Sequence, residues 1–346
     1  MSNESNFNPN FIVKSKENKA LDYYINGIKN SDRFILSEAI TLIESENESK
    51  KNLALEILKN LAKDTNNESI RIAVTGSPGV GKSTFIENFG IFLTEQDCKI
   101  AVLAIDPSSQ QNKGSILGDK TRMEHLSNHD NAFIRPSSSG ALLGGVARGT
   151  KEAILLCEAA GFRYIIIETV GIGQSEYWAS KLADLTLLLI QPGSGDEVQG
   201  IKRGILEMAD IIVVNKSDGE QLKLANETAK NYENVINLFH SRLNHKQKVI
   251  SISSIERKNF DLLKSCIDSF IELSKSTDFF LENRKNQEIF WFDILIKEKI
   301  FSLIMKDQKI SEPIAAIQAQ VTEGKISTFE SMIAVEQLFK KNMEKD

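Results

Sequence analysis

The chain has 346 residues, 41% of them hydrophobic and 26% charged, with a formal net charge of −5. That length fills one large domain with appendages or two small ones, and the apolar share supports a sizeable core. The acidic balance excludes a nucleic-acid binder that relies on a general basic surface, and no apolar run is long enough to predict a membrane span.

The first fifteen residues read as a polar tail, without the basic-then-apolar plan of a signal peptide. The three cysteines, Cys98, Cys157 and Cys266, form no CxxC pair, so neither a disulfide framework nor a cysteine zinc site is expected. Both features point to a cytoplasmic protein with reduced thiols. From Lys16 to Lys63 the apolar spacing is helical. The segment "SDRFILSEAITLIES" offers Ser31 and Asp32 as N-cap candidates, and "ESKKNLALEILKNLAKD" repeats the pattern. Residues 1–65 are therefore assigned to an N-terminal helical extension.

The period changes at Ile70. "IRIAVTG", "KIAVLAID", "YIIIE", "LTLLLIQ", "DIIVVNK" and "KVISIS" read as six strands, most of them continuously apolar, as strands buried on both faces must be. Helical stretches lie between them at Lys82–Leu93, Val146–Ala160, Gln199–Met208, Gln221–His240 and Phe260–Ser274. This alternation over residues 66–277 predicts an α/β domain, a mostly parallel sheet with helices on both faces. Residues 278–346 turn helical again. "NQEIFWFDILIKEKIFSLI" is amphipathic and aromatic-rich, and Ser327-x-x-Glu330 is a capping box. The aromatic run Phe290-Trp291-Phe292 is either a core stripe or a surface for a second copy.

"GSPGVGKST", Gly76 to Thr84, follows the first strand and opens a helix. This is G-x-x-x-x-G-K-[ST] in the strand–loop–helix setting it requires. Gly76, Ser77, Pro78, Gly79, Val80 and Gly81 would wrap phosphates so that N–H groups and the positive helix end face the anion. Lys82 would reach the β- and γ-phosphates, and the Ser83 hydroxyl would bind Mg²⁺. Asn215-Lys216-x-Asp218 ends a later strand and fits a guanine reader. The Asp218 carboxylate can accept from guanine N1–H and the 2-amino group, which adenine lacks, and a buried acceptor left unpaired is costly. The Lys216 stem can lie over the ring. Ser253-Ser254-Ile255 is a looser match to a guanine-edge loop.

At "ETVGIGQSE" the chain departs from the Asp-x-x-Gly usual in nucleotide hydrolases: Glu168 stands at the strand end where the metal-water acceptor should be. Asp106 and Asp119 lie in loops after the second strand. Each alone is either a loop cap or part of the site. With Ser83 and Glu168 they form a candidate metal and water network, in keeping with Mg²⁺, which keeps several waters and takes few protein oxygens. Gln174 is a candidate to orient the attacking water.

The motifs "GSPGVGKST", "DPSSQQNKGSILGDKTRM", "FIRPSSSGALLGGVARGT", "ETVGIGQSE", "QPGSGDEVQGIKRGILEMAD" and "NKSD" together resemble the methylmalonyl-CoA mutase-associated GTPases, the MeaB/ArgK group. The resemblance runs from about residue 33 to 340. That group belongs to the signal-recognition-particle/MinD-like P-loop GTPases, whose metal-water carboxylate need not be Asp. The resemblance implies a Rossmann-like P-loop NTPase domain with an N-terminal helical extension and a C-terminal dimerisation arm. It implies slow, Mg²⁺-dependent GTP hydrolysis to GDP, gating adenosylcobalamin delivery to an acyl-CoA mutase, most simply methylmalonyl-CoA mutase, and protecting that mutase. Lys82, Asp106, Asp119 and Glu168 match its catalytic and metal positions, Gly171 through Gln174 to Glu176 its second switch, and Asp196 and Lys202 a further mobile loop facing the mutase. Ser138, Tyr177 and Trp178 depart from its pattern, which bears on the client rather than on GTP binding. The competing readings are a nickel-insertion GTPase, which would need a Cys/His cluster, a kinase, and an assembly factor without useful turnover.

Overall fold

The computed structural model describes residues 20–45, 47–62, 68–105, 123–137, 143–169, 174–193, 203–236 and 247–343. The chain divides into two compact units, Met1–Phe280 and Leu281–Asp346. No described helix is long and apolar enough to cross a membrane.

The described residues of the first unit begin with three helices, α1 (Leu21–Lys29), α2 (Arg33–Ile43) and α3 (Glu48–Leu61). Of the two candidate caps of α2, Asp32 serves: its carboxylate accepts from the N–H groups of Phe34 and Ile35 at 2.9 and 3.1 Å. Ser31 is no cap. It takes the left-handed region at φ 59° and donates its hydroxyl to the Ala160 carbonyl at 2.7 Å. Arg33 donates to the His129 carbonyl at 2.7 Å, and Arg135 pairs with Glu44 at 2.7 Å. The N-terminal helices are thereby bonded to the sheet domain rather than hung beside it.

Among the described residues seven parallel strands form one sheet: β1 (Ile70–Gly76), β2 (Ile100–Ile105), β3 (Ala132–Ser137), β4 (Tyr164–Thr169), β5 (Leu185–Ile190), β6 (Ile211–Val214) and β7 (Lys248–Ser251). Their order is β3-β2-β4-β1-β5-β6-β7. Six of these are the expected runs and β3 is additional. Arg135 and Pro136 break its apolar pattern, and Pro is tolerated because β3 is an edge strand. The described helices between strands are α4 (Lys82–Thr94), the short α5 (Glu124–Ser127), α6 (Leu143–Ala159), α7 (Gln174–Ser180), α8 (Arg203–Met208) and α9 (Leu222–Ile236), and α10 (Phe260–Ser276) follows β7. The expected helical residues 199–202 and 237–240 lie outside the described residues.

Alternation along β1 sends Ile70, Ile72 and Val74 to one face, where Phe85 and Phe89 of α4 and Phe260, Leu263 and Ile267 of α10 complete a core. On the other face Leu188, Ile190, Ile212 and Val214 meet α8 and α9. Helices on both faces explain why β1, β4, β5 and β6 are wholly buried. Arg71 points to the second face, where its guanidinium makes a bidentate pair with Glu158 of α6 at 2.8 and 2.9 Å, both side chains buried. Arg71→Met should strand a buried carboxylate and lower unfolding free energy by about 3–5 kcal/mol. Urea denaturation measures this, and Arg71→Met with Glu158→Leu should recover most of it.

The second unit holds most of α11 (Phe279–Lys306) together with α12 (Gln308–Thr322) and α13 (Thr328–Met343). The capping box closes as expected: Ser327 N–H donates to Glu330 at 2.7 Å, and Glu330 N–H donates to the Ser327 hydroxyl at 3.2 Å. The aromatic run is split, with Trp291 buried and Phe292 exposed. Phe292, Ile296, Ile300 and Phe301 on α11 and Phe329 and Met332 on α13 are all exposed apolar side chains.

Candidate functional site

Every strand runs the same way, so all seven carboxyl ends open on one edge. Connections leave β1 first toward β2, β3 and β4, then toward β5, β6 and β7, which puts a crevice at the end of β1 where ligands of such sheets bind. The phosphate-loop residues lie there. Gly76 ends β1 at φ 149°, and a Cβ on it would stand 2.3 Å from the Leu189 carbonyl oxygen. Gly81 caps α4 at φ 94°, where a Cβ would press on Asn215 Nδ2 at 2.8 Å. Between them Val80 is buried under the turn while Pro78 and Gly79 are exposed, and Thr84 is exposed in the first turn of α4. The loop thus hands an exposed backbone to the N-terminal end of a helix, where N–H groups point outward and the dipole is positive.

Lys82 is 9% exposed, and its ammonium donates to the Gly76 carbonyl at 2.6 Å and the Ser77 carbonyl at 3.2 Å. Burial pulls its pKa below the ordinary lysine value, and the Glu168 and Glu176 carboxylates act against that shift. Those two carboxylates favour the charged ammonium, the form that suits binding of an anion.

Glu168 lies next to last in β4, in register with Val74 of β1 and Ala104 of β2, and is buried. The Ser83 hydroxyl donates to its Oε1 at 2.9 Å. A hydroxyl at the head of α4 and a carboxylate at the end of β4 therefore share one point, a donor set fitting a hard divalent cation that keeps much of its water. Among the described residues no three His, Cys, Asp or Glu side chains cluster to hold a metal. Asp106 and Asp119, the other expected members, lie outside the described residues, as do Gly171, Asp196 and Lys202. Gln174 opens α7, and Glu176 is buried in the same turn.

The candidate base-reading residues are joined to the glycine loop after β1. Asn215 Nδ2 donates to the Val80 carbonyl at 2.9 Å, and the Lys216 ammonium donates to the Gly79 carbonyl at 2.8 Å. Asn215 Oδ1 accepts from the Ser254 N–H at 3.2 Å and hydroxyl at 2.7 Å. The Ser253 hydroxyl donates to Asp218 Oδ2 and accepts from the Glu256 N–H at 3.0 Å. Ile255 is 76% exposed at the loop tip, where an apolar side chain can cover a ring edge. Two residues of this region have a structural part that the sequence reading did not assign them. Thr169 donates its hydroxyl to the Val74 carbonyl at 3.3 Å and can accept from the Thr75 hydroxyl at 3.2 Å, lacing β4 to β1 beneath the loop. Arg257 reaches Glu95 at 2.9 Å and fastens the Ser253–Lys258 turn to the end of α4. Threonine directly after the strand carboxylate is the one local signal for the first. The second has none, since its partner lies far back in the chain.

The family described as "Methylmalonyl Co-A mutase-associated GTPase MeaB" matches residues 36–309. A Mus musculus protein named methylmalonic aciduria type A homolog, mitochondrial, is 39% identical over 325 residues, 91% of this chain and 78% of that protein. The GTPase ArgK of Escherichia coli is 36% identical over 285 residues, 82% of this chain and 86% of its own. A crystal structure described as LAO/AO transport system kinase superposes with a TM-score of 0.72 at 28% identity, covering 92% of this chain and 97% of that one.

Proposed function

Because the chain belongs to the methylmalonyl-CoA mutase-associated GTPase family, we propose that it is a GTP-hydrolysing chaperone that gates adenosylcobalamin loading of an acyl-CoA mutase and protects it, with methylmalonyl-CoA mutase as the client. That it is a GTPase follows from the family. The observation that carries the site assignment is the pair of bonds from Asn215 and Lys216 to the Val80 and Gly79 carbonyls. They tie the proposed guanine reader to the proposed phosphate loop.

In this reading Lys82 and the N–H groups from Gly76 to Thr84 bind and orient the triphosphate. Asp218 reads the guanine edge, with Lys216 over the ring and Ser253, Ser254 and Ile255 along its rim. Water attacks the γ-phosphorus, the bond to the bridging oxygen breaks, and GDP and phosphate leave. Catalysis is positioning plus charge neutralisation. Ser83 and Glu168, with Asp106 and Asp119, would hold Mg²⁺, which when bound neutralises charge on the phosphate oxygens. Glu168 also holds the Ser83 hydroxyl in place, and Gln174 is a candidate to orient water. The loops carrying Gly171, Asp196 and Lys202 would report the nucleotide state to the mutase.

The functional division follows as residues 1–65, 66–277 and 278–346, acting in the cytoplasm. The last part serves as the arm by which two copies associate. The exposed apolar side chains on α11 and α13, among them Phe292, Phe301 and Phe329, support that role.

The test is phosphate release from GTP by the purified protein, with and without an adenosylcobalamin-dependent methylmalonyl-CoA mutase from the same cell. A several-fold rise with the mutase is expected. A slow rate indifferent to the mutase would sink the client assignment and leave the GTPase.

A further inference from the structure

The turn after β7 is held more firmly than its exposure requires. Ser253 and Ser254 are buried, and Ile255 through Asn259 are exposed. Two of the exposed residues take the left-handed region, Arg257 at φ 53° and Asn259 at φ 64°. For a bulky arginine that conformation is costly, and it persists only where the surrounding structure over-determines it. Here the surroundings do so. The Ser253 N–H donates to the Lys258 carbonyl at 3.4 Å and the Lys258 N–H to the Ser253 carbonyl at 3.1 Å, while the Asn259 amide donates to the Ser251 carbonyl at 2.8 Å. Phe260, directly after the turn, packs edge-on against Phe85, Phe89 and Phe92 of α4. Arg257 adds a polar grip on the same helix. Its Nε donates to Asn88 Oδ1 at 3.3 Å and its Nη1 to Glu95 Oε1 at 2.9 Å. Asn88 lies within α4 and Glu95 is the C-cap, about two turns further along the same face. The Asn88 amide nitrogen is engaged with the Thr84 carbonyl at 3.1 Å, which leaves its oxygen for the guanidinium.

We propose that Arg257 is a positioning residue for the base: by tying the turn to α4 it holds Ser253, and through Ser253 the Asp218 carboxylate, in the orientation that reads the guanine 2-amino group. This deepens the nucleotide-site reading above and rests on it. The route is a chain of hydrogen bonds. The N–H of Glu256, the neighbour of Arg257, donates to the Ser253 hydroxyl at 3.0 Å, and the hydroxyl proton goes to Asp218 Oδ2. A serine hydroxyl has one proton, so its direction fixes which lone pairs of the carboxylate stay open to a ligand. With the turn released from α4, the Glu256 N–H no longer sets the hydroxyl, and Asp218 meets the base with its acceptors unaimed. Ile255, 76% exposed at the tip, moves with the same turn. The Arg257 and Glu95 side chains are 37% and 55% exposed, so their hold is modest and is screened by salt. Discrimination at the base therefore varies with ionic strength in this chain.

The experiment uses the full chain with Mg²⁺ and the fluorescent methylanthraniloyl derivatives of GDP and of inosine diphosphate, which lacks only the 2-amino group. The two share their phosphates, so the ratio of their dissociation rates isolates the base end. Arg257→Gly removes the clamp and relieves the positive φ together, so the variant should fold. The rate ratio, inosine over guanosine, should fall by about threefold. Glu95→Gln should lower it in the same direction to a smaller extent, and Arg257→Gly with Glu95→Gln should be no worse than Arg257→Gly alone. In the wild type the ratio should fall as salt rises from about 0.05 to 1 M, and in Arg257→Gly it should stay flat, a difference that a residue merely supporting the fold would not produce. An Arg257→Gly ratio equal to the wild type's, or an equal salt dependence in the two, overturns the role and leaves the nucleotide site standing. A wild-type chain that binds neither nucleotide overturns the site itself. Should Arg257→Gly not fold, Glu95→Gln decides alone, and a ratio it leaves unchanged overturns the role.

Discussion

Lys82→Ala should abolish tight nucleotide binding and reduce GTP hydrolysis by at least about a hundredfold, the scale seen when one preorganised charge-stabilising donor is removed. The lysine is the one cation found buried at the loop among the described residues, and it is bonded to the loop's own carbonyls. Removal takes away the ammonium and with it the positive charge that acts on the nearby Glu168 and Glu176 carboxylates. The loss therefore exceeds that of one charge-assisted hydrogen bond. Filter binding or calorimetry with GDP and the imido analogue separates affinity from turnover. Thermal unfolding should show a folded protein, because the α4 core is made by Phe85 and Phe89 rather than by this side chain. Retained nanomolar or micromolar affinity would end the phosphate-loop assignment.

Asp218→Asn is the second large effect, in specificity rather than in overall binding. The carboxylate is held by the Ser253 hydroxyl, which leaves acceptor capacity for the guanine N1–H and 2-amino group. An amide at this position places a donor against the 2-amino group and an acceptor against N1–H. Xanthine, with a carbonyl in place of that amine, pairs with it better. Preference for GTP over XTP should fall by about 10²–10⁴-fold, the range expected where a buried polar partner is lost or mismatched. Competition between the two nucleotides in the hydrolysis assay measures it, and unchanged selectivity would remove Asp218 from the base site.

The strands were readable because helices cover both sheet faces, so β1, β4, β5 and β6 carry unbroken apolar runs. β3 was not, because an edge strand tolerates the Arg135-Pro136 interruption that a central strand would not. Helix α12 is obscured in the same way by Pro313 inside it. At the site, the glycine loop and Asn215-Lys216-x-Asp218 are local patterns and were readable. The pairing of Ser253 with Asp218, and the bonds that tie Asn215 and Lys216 to the phosphate loop, were not. They arise from strands β1, β6 and β7 ending on one edge, and no spacing along the chain encodes that adjacency.

Asn215 is buried, with its amide nitrogen on the Val80 carbonyl and its amide oxygen on Ser254. It rivets together loops that rise from β1, β6 and β7. The two ends of the nucleotide cleft cannot adjust separately. A base that sits badly against Asp218 pushes through this rivet on the backbone that aligns the phosphates, and a displacement of about 1 Å at a reacting centre costs roughly a hundredfold in rate. Wrong nucleotides are then rejected twice, once by weak binding and again by slow turnover of whatever binds, so fidelity at the base end becomes a timing property at the phosphate end.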